Sequence, residues 1–211
     1  MQPEPTLAAI CDQIMQAPLG PHRRLIAVAG APGSGKSTTA KHIADALAAH
    51  GLKVAVVPMD GFHLDNRLLD VDGSRARKGA PHTFDAEGLI RLVTALQSND
   101  AVVYPLFDRS RDIAIAGAGR VDADVDTVLI EGNYLLLNTA PWNRLAACWA
   151  LTISLATPRE VLHARLVQRW LDHGMTRVDA EARALGNDMK NAEFITANEN
   201  AADIRLTENP K

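Results

Sequence analysis

The sequence contains little of what several classes of protein need. It has two cysteines, Cys11 and Cys148, which are far apart and lack the spacing of a metal site or a disulfide framework. No apolar run approaches the roughly 20 residues of a membrane span. Glu4 and Asp12 interrupt the N-terminal segment, and no Lys or Arg precedes its apolar residues, unlike in a signal peptide. We therefore expect a cytoplasmic protein without a membrane partner.

A broad basic surface is also missing. The formal net charge at pH 7 is -3, and the cluster of Arg75, Arg77 and Lys78 is too short to bind a nucleic acid. Aromatic residues make up 4% of the sequence, which disfavours a large stacking platform for a base. Hydrophobic residues make up 47%, enough to bury a core. We expect one domain over residues 1–211 that does not bind nucleic acid.

The apolar pattern alternates between buried strands and amphipathic helices. Residues 25–29 form a continuous apolar run typical of a buried parallel strand, residues 36–50 form a helical pattern, and residues 53–59 form a second strand pattern. This βαβ unit should have a right-handed crossover. We also predict helices at residues 7–15 (within an N-terminal segment 1–21), 85–97, 159–172 and 179–197, strands at 101–107, 128–130, 149–155 and 204–206, and a hairpin of 113–116 with 119–121 around Gly117-Ala118. The pattern predicts an α/β fold with a mainly parallel sheet.

The first predicted strand is followed by a complete phosphate-binding loop. Its eight residues are Gly30, Ala31, Pro32, Gly33, Ser34, Gly35, Lys36 and Ser37. They match G-x-x-x-x-G-K-[ST] between a strand and a helix, where backbone N–H groups and the helix N-terminus bind phosphate oxygens. Lys36 should reach the β- and γ-phosphates, Ser37 should bind Mg²⁺, and Thr38 should lie near the α-phosphate. The loop predicts a nucleoside triphosphate site.

Two carboxylates follow other predicted strands. Ligands of an open parallel sheet bind beyond the carboxyl ends of its strands. Glu131 ends an apolar strand as a Walker B acid does, which places it near the Mg²⁺ ion. Asp60 should face the γ-phosphate, where a carboxylate can accept the proton of an attacking alcohol. His63 is a candidate for substrate binding on the same loop.

Four segments together resemble the phosphoribulokinase, uridine kinase and bacterial pantothenate kinase family. Residues 29–38 are similar to its phosphate-binding loop, and residues 59–62 (Met-Asp-Gly-Phe) to the pantothenate kinase segment with the catalytic aspartate. Residues 77–85 are similar to a Lys-Gly-Phe-Pro-Glu-Ser-Tyr-Asp stretch, and residues 128–132 to a strand followed by Glu-Gly. The extended segment 59–66 looks most like a bacterial branch labelled fructose transport system kinase. The resemblance implies a P-loop NTPase fold of three α/β/α layers, with a mainly parallel five-stranded sheet, a small lid and an inserted hairpin.

The resemblance also implies residues on the acceptor side. Tyr104, Arg109 and Arg111 are similar to a stretch that contributes to the acceptor pocket, although Pro105 after Tyr104 departs from the uridine kinase pattern. His82 falls in the variable part of residues 77–85 and is expected near the acceptor. Residues 61–85 would form the acceptor-side loop.

Arg165 and Arg169 lie four positions apart on one predicted helix. The resemblance implies that this helix leads into a lid, residues 170–180, that closes over ATP. Arginines there would stabilise charge on the transferring phosphoryl group. The alternative for such a pair is a solvated basic helix face.

These features predict an ATP- and Mg²⁺-dependent kinase acting on an alcohol of a small molecule such as a sugar, a nucleoside or a pantothenate-like compound. A P-loop GTPase or regulatory ATPase is the alternative, but no Asn-Lys-x-Asp motif is present. A nucleotide-binding protein without activity is disfavoured because Lys36, Ser37, Asp60 and Glu131 are all present. Family members commonly self-associate, so the resemblance is compatible with a homodimer.

Overall fold

A five-stranded parallel sheet lies at the centre of the computed structural model, which describes residues 5–208. Its strands are β1 (Arg24–Gly30), β2 (Val54–Pro58), β5 (Thr127–Gly132), β6 (Leu151–Ala156) and β7 (Ile204–Thr207). They are ordered β2-β5-β1-β6-β7, and each neighbouring pair is parallel. The sheet confirms the predicted fold class. The remaining strands, β3 (Val102–Asp108) and β4 (Ile113–Val121), form a separate antiparallel pair.

Helices cover both faces of the sheet. The helices are α1 (Leu7–Gln16), α2 (Lys36–Ala49), α3 (Asn66–Val71), α4 (Ala86–Ala95), α5 (Arg159–Asp172), α6 (Arg177–Arg183) and α7 (Met189–Asn198). Side chains of β1 alternate between the two faces. Ile26 and Val28 pack with α1 and α2, whereas Leu25, Ala27 and Ala29 pack with α4, α5 and α7. The three layers follow from this alternation.

The predicted hairpin around Gly117-Ala118 is wrong. Residues 113–121 form one strand, β4, which pairs with β3 across a turn at residues 109–112. Tyr104 pairs with Gly119 and Leu106 with Ile115, so the residues around Gly117 bulge opposite Pro105. Proline has no N–H to donate to the hydrogen-bond ladder between β3 and β4. A proline within a strand therefore favours a β-bulge at that position. The glycine that suggested a turn allows this bulge instead, with φ of 66° at Gly117.

The predicted helix at residues 179–197 is also divided. Helices α6 and α7 are joined by a π-helical turn, Ala184–Asp188, that contains Gly186. Single π-helical turns inside helices are rare and frequently occur at functional sites. No helix within residues 5–208 is long and apolar enough to cross a membrane.

Candidate active site

The phosphate-binding loop connects β1 to the first residue of α2. Gly33 and Gly35 have φ of 81° and 87°, in the left-handed region that a residue with a Cβ rarely adopts. No side chain caps the N-terminus of α2, so its first amides are available to an anion. The Lys36 amine forms no ion pair or hydrogen bond within residues 5–208. The loop therefore presents free donors on its open side.

Ser37 and Glu131 meet at this loop. The Ser37 hydroxyl donates a hydrogen bond to Oε1 of Glu131 over 3.1 Å. Glu131 is buried at the end of β5, and burial raises its pKa, as does the negative charge of Asp60, while Lys36 opposes the rise. One hydroxyl and one carboxylate fit Mg²⁺, which is bound in such sites by one or two carboxylates, phosphates and water. Within residues 5–208 no cluster of three acidic, histidine or cysteine side chains forms a metal site.

Asp60 lies on a short turn, Met59–Phe62, directly after β2. Its carboxylate accepts a hydrogen bond from Arg109, 2.5 Å away. Burial opposes ionisation of Asp60, but the positive charges of Lys36, His63, Arg109 and Arg169 outweigh it and hold its pKa below the usual value. Asp60 is therefore an ionised carboxylate facing the lysine of the phosphate-binding loop.

Gly61 lets this turn contact the hairpin closely. A Cβ at Gly61 would lie 2.0 Å from the carbonyl oxygen of Pro105. Any larger residue would push β3 away from the turn. The approach of β3 and its following loop brings Arg109 to Asp60.

His63 lies between two aromatic rings. Its ring centroid is 4.0 Å from that of Phe84 and 4.5 Å from that of Phe107. Its Nδ1 contacts the backbone oxygen of Asp60 at 2.7 Å, and burial lowers the pKa of the imidazole. The ring lines the same cavity as Asp60.

One cavity of about 570 Å³ joins the phosphate-binding loop to these side chains. The residues from the sequence predictions that line it are Pro32, Gly33, Gly35, Lys36, Ser37, Thr38, Asp60, His63 and Arg169. Glu131 is connected to it through Ser37. The structure thus brings the predicted donor and acceptor residues to one space.

Four predicted site residues lie elsewhere. His82 is exposed and lines no cavity, and Tyr104 is buried with its hydroxyl donating to the backbone oxygen of Val56. Arg111 pairs with Asp108, whereas the nearby Arg109 pairs with Asp60. Arg165 forms an ion pair with Glu208 and donates to the carbonyl of Gly33. None of these four side chains lines the 570 Å³ cavity.

A second cavity of about 740 Å³ adjoins the other side of the loop. Its lining residues include Thr38, His42, Leu155, Arg165 and Glu208. It shares Gly33, Gly35 and Thr38 with the first cavity. The loop therefore lies between two spaces, one with Asp60 and one with Arg165.

The comparisons with known proteins agree with this geometry. Residues 25–211 match the Phosphoribulokinase / Uridine kinase family. The chain belongs to this family. A Silicibacter sp. TM1040 protein named "putative fructose transport system kinase" has 54% sequence identity and a TM-score of 0.92, covering 95% of this chain and 98% of its own. The uncharacterized protein YggC of Escherichia coli (strain K12) is 33% identical over 190 residues, 88% of this chain and 78% of its own length.

A pantothenate kinase of Mycolicibacterium vanbaalenii is 34% identical over 139 residues, which are 64% of this chain and 44% of that protein. Membership of the phosphoribulokinase / uridine kinase family makes the chain a small-molecule phosphotransferase. The solved structure of phosphoribulokinase from Rhodobacter spheroides shares the fold, with a TM-score of 0.58 at 16% identity.

Sequence reasoning missed several residues of this kinase cavity. Lys78 has 10% of its side chain exposed and pairs with Asp112 at 2.9 Å. Its amine donates a hydrogen bond to Oδ1 of Asn66 over 2.8 Å and lies 5.1 Å from the ring centroid of Phe107. Its position inside the recognised segment 77–85 could have indicated it. Trp170, Arg183 and Asp188 also line the cavity, as does Asn133, whose Oδ1 is buried without a hydrogen-bond partner. Trp170 is the first residue of the segment 170–180 that the family resemblance implies as a lid, whereas no local pattern marks Arg183, Asp188 or Asn133.

Proposed function

We propose that this kinase transfers the γ-phosphoryl group of ATP to an alcohol of a small molecule, with Asp60 as the base. The observation that carries the proposal is that Asp60, ionised, shares one cavity with Lys36 and Ser37. A base must lie within hydrogen-bond reach of the proton that it accepts, or one water away. An alcohol placed between Asp60 and the phosphate-binding loop satisfies that requirement.

The donor half consists of the loop and the Ser37–Glu131 pair. The free amides of α2 and the amine of Lys36 bind the phosphates. Ser37 and Glu131 would hold Mg²⁺, which would neutralise the charge that develops on the phosphates. The second cavity, on the Arg165 side of the loop, has room for the nucleoside part of ATP.

The acceptor half surrounds Asp60. Arg109 orients the Asp60 carboxylate, and His63, Lys78 and Phe107 form the nearby wall. Arg169 lines the same cavity, and its guanidinium makes no hydrogen bond or ion pair within residues 5–208. A cation without an acidic partner is suited to stabilise the charge of the transferring phosphoryl group.

Relatives suggest where to look for the acceptor. One is named for fructose transport and another is a pantothenate kinase, so free sugars and pantothenate-like alcohols come first, followed by nucleosides. The decisive measurement is a coupled assay of ADP release across these three groups. Release that requires one of the alcohols supports the kinase, whereas release without any alcohol favours a regulatory ATPase.

Asp60→Asn tests the proposed base. The amide cannot accept the proton, so kcat should fall by ~10²-fold or more, while ATP binding measured by calorimetry persists. Asp45→Asn is the matched control, since Asp45 is exposed on α2 and forms an ion pair with Lys41. Full activity in Asp60→Asn would remove this residue as the base.

A further inference from the structure

The indole of Trp170 lines the cavity together with two guanidinium groups, those of Arg169 and Arg183. The Cζ atom of Arg169 is 5.6 Å from the ring centroid, and that of Arg183 is 5.2 Å from it. Guanidinium groups within about 6 Å of an indole face are attracted by the ring quadrupole. Trp170 therefore contacts a residue of its own helix, α5, and one at the end of α6.

Asp188, in the π-helical turn that joins α6 and α7, holds the Trp170 ring by a hydrogen bond. The Trp170 Nε1–H donates to Oδ2 of Asp188 over 2.7 Å. Asp188 ends the π-helical turn and is only 7% exposed. Burying a carboxylate is unfavourable unless it is hydrogen-bonded and close to opposite charge. Burial raises the pKa of Asp188, while the Trp170 hydrogen bond and the charges of Arg183 and Arg169 oppose the rise.

Arg183 connects Trp170 and Asp188 to the backbone of Ala76 and Lys78, which lie on the acceptor side of the cavity. Its guanidinium donates to the backbone oxygens of Ala76, at 2.6 Å, and of Lys78, at 3.4 Å. Asn187, next to Asp188, donates to the same Lys78 oxygen at 2.9 Å. Arg183 and, from the π-helical turn, Asn187 thus hold the backbone of Lys78, which lines the cavity.

The position of the Arg169 guanidinium depends on Trp170 more than the position of the Arg183 guanidinium does. Arg169 has no ion pair within residues 5–208, and the positive charges of Arg109 and Arg183 repel it. The indole face attracts the guanidinium, as do the negative charges of Asp188 and Asp60. If the ring turned, the guanidinium would move away from its position in the cavity.

We propose that Asp188 is a positioning residue, which fixes the indole of Trp170 and thereby holds Arg169 and Arg183 at the reaction cavity. The inference rests on the proposed function, because Arg169 is assigned there to the transferring phosphoryl group. Contacts that position these arginines matter because a small displacement of a charge-stabilising group lowers the reaction rate strongly.

Steady-state kinetics of two Asp188 variants test the proposal. Asp188→Leu removes the hydrogen-bond acceptor and should lower kcat roughly 10-fold or more, with a smaller change in the KM for ATP. Asp188→Asn retains an oxygen that accepts from Nε1 and should restore most of kcat. Glu181→Gln is the control, because it breaks the exposed Arg177–Glu181 pair on α6 and should leave kcat unchanged.

Fluorescence gives a readout that does not need an acceptor. With Trp142 and Trp149 replaced by Phe, Trp170 is the remaining tryptophan of the sequence. Addition of Mg-ATP should change its emission in this background and in Asp188→Asn. The change should be lost in Asp188→Leu, with circular dichroism verifying that the variant is folded.

The two readouts separate the two claims. If no alcohol stimulates ADP release but Asp188→Leu alone loses the Trp170 response, the proposed function fails and the positioning role survives. If Asp188→Leu keeps both its kcat and its fluorescence response, the positioning role is overturned. Equal loss in Asp188→Leu and Asp188→Asn would also overturn it, because the hydrogen bond would then not be what matters.

Discussion

Arg109 forms an ion pair with Asp60 although 49 positions separate them in the chain. The contact depends on the hairpin of β3 and β4, which carries Arg109 past the close approach of Pro105 to Gly61. It fixes the carboxylate that faces the phosphate-binding loop. The nearby Arg111, which the family resemblance implied as a substrate ligand, pairs with Asp108 instead.

Replacing Arg109 should change the pH dependence of the kinase. The pKa of Asp60 is low because positive charges, Arg109 among them, outweigh its burial. Arg109→Met removes one of these charges, so the pKa of Asp60 should rise and the acidic limb of kcat/KM should move to higher pH. Arg111→Met is the matched comparison and should leave that limb in place. A larger shift with Arg111→Met would return the acceptor role to that residue.

Glu131→Gln should weaken the response to Mg²⁺. Glutamine keeps an oxygen for the Ser37 hydroxyl but loses the charge that a divalent cation needs. We expect the Mg²⁺ concentration for half-maximal ADP release to rise about 10-fold or more. Glu87→Gln, an exposed carboxylate paired with Arg144, is the control. An unchanged Mg²⁺ titration, or full turnover in excess EDTA, would contradict the assignment.

Arg165 and Arg169 should give opposite kinetic patterns. Arg169 lines the cavity with Asp60, so Arg169→Met should lower kcat by roughly 10²-fold or more. Arg165 pairs with Glu208 beside the second cavity, so Arg165→Met should mainly raise the KM for ATP. The measurement is a full kcat and KM determination for both variants. Loss of kcat with Arg165→Met alone would reverse the two roles.

Arg23 should be a large determinant of stability. Its side chain is 2% exposed and donates to the backbone oxygens of Leu96, Ser98, Asp100, Asp122 and Val125. Arg23→Met leaves these buried acceptors without a donor, which should lower the free energy of unfolding by on the order of 3 kcal/mol or more. Urea denaturation measures it, with the exposed Arg91→Met as control. Equal midpoints for the two variants would refute the expectation.

Prediction from sequence succeeded where the signal is local. Strand β1, the loop and α2 are contiguous, and their turn glycines, lysine and apolar periodicity are all visible within residues 24–49. The positions of Asp60 and Glu131 at strand ends followed from the rule that parallel strands end at one edge. Helix α5 was placed to the residue because Pro158 marks its start.

Prediction failed where the deciding partner is distant. Gly117 indicates a turn by itself and a bulge once Pro105 lies opposite it. Arg23 looks like a surface arginine, but its acceptors are 73 to 102 positions away. The choice between Arg109 and Arg111 depends on the turn that ends in Asp112, whose φ of 55° no local motif predicts.

The sequence by itself determined the donor half of this kinase, because phosphates are bound by backbone amides and a helix N-terminus that eight contiguous residues form. It also determined the two carboxylates, since Glu131 lies at the end of β5 and Asp60 follows the end of β2. Only the tertiary structure decided which cations face them. Arg109, Lys78, Arg169 and Arg183 come from separate segments. Long flexible side chains find their partners only after those segments have packed around the sheet.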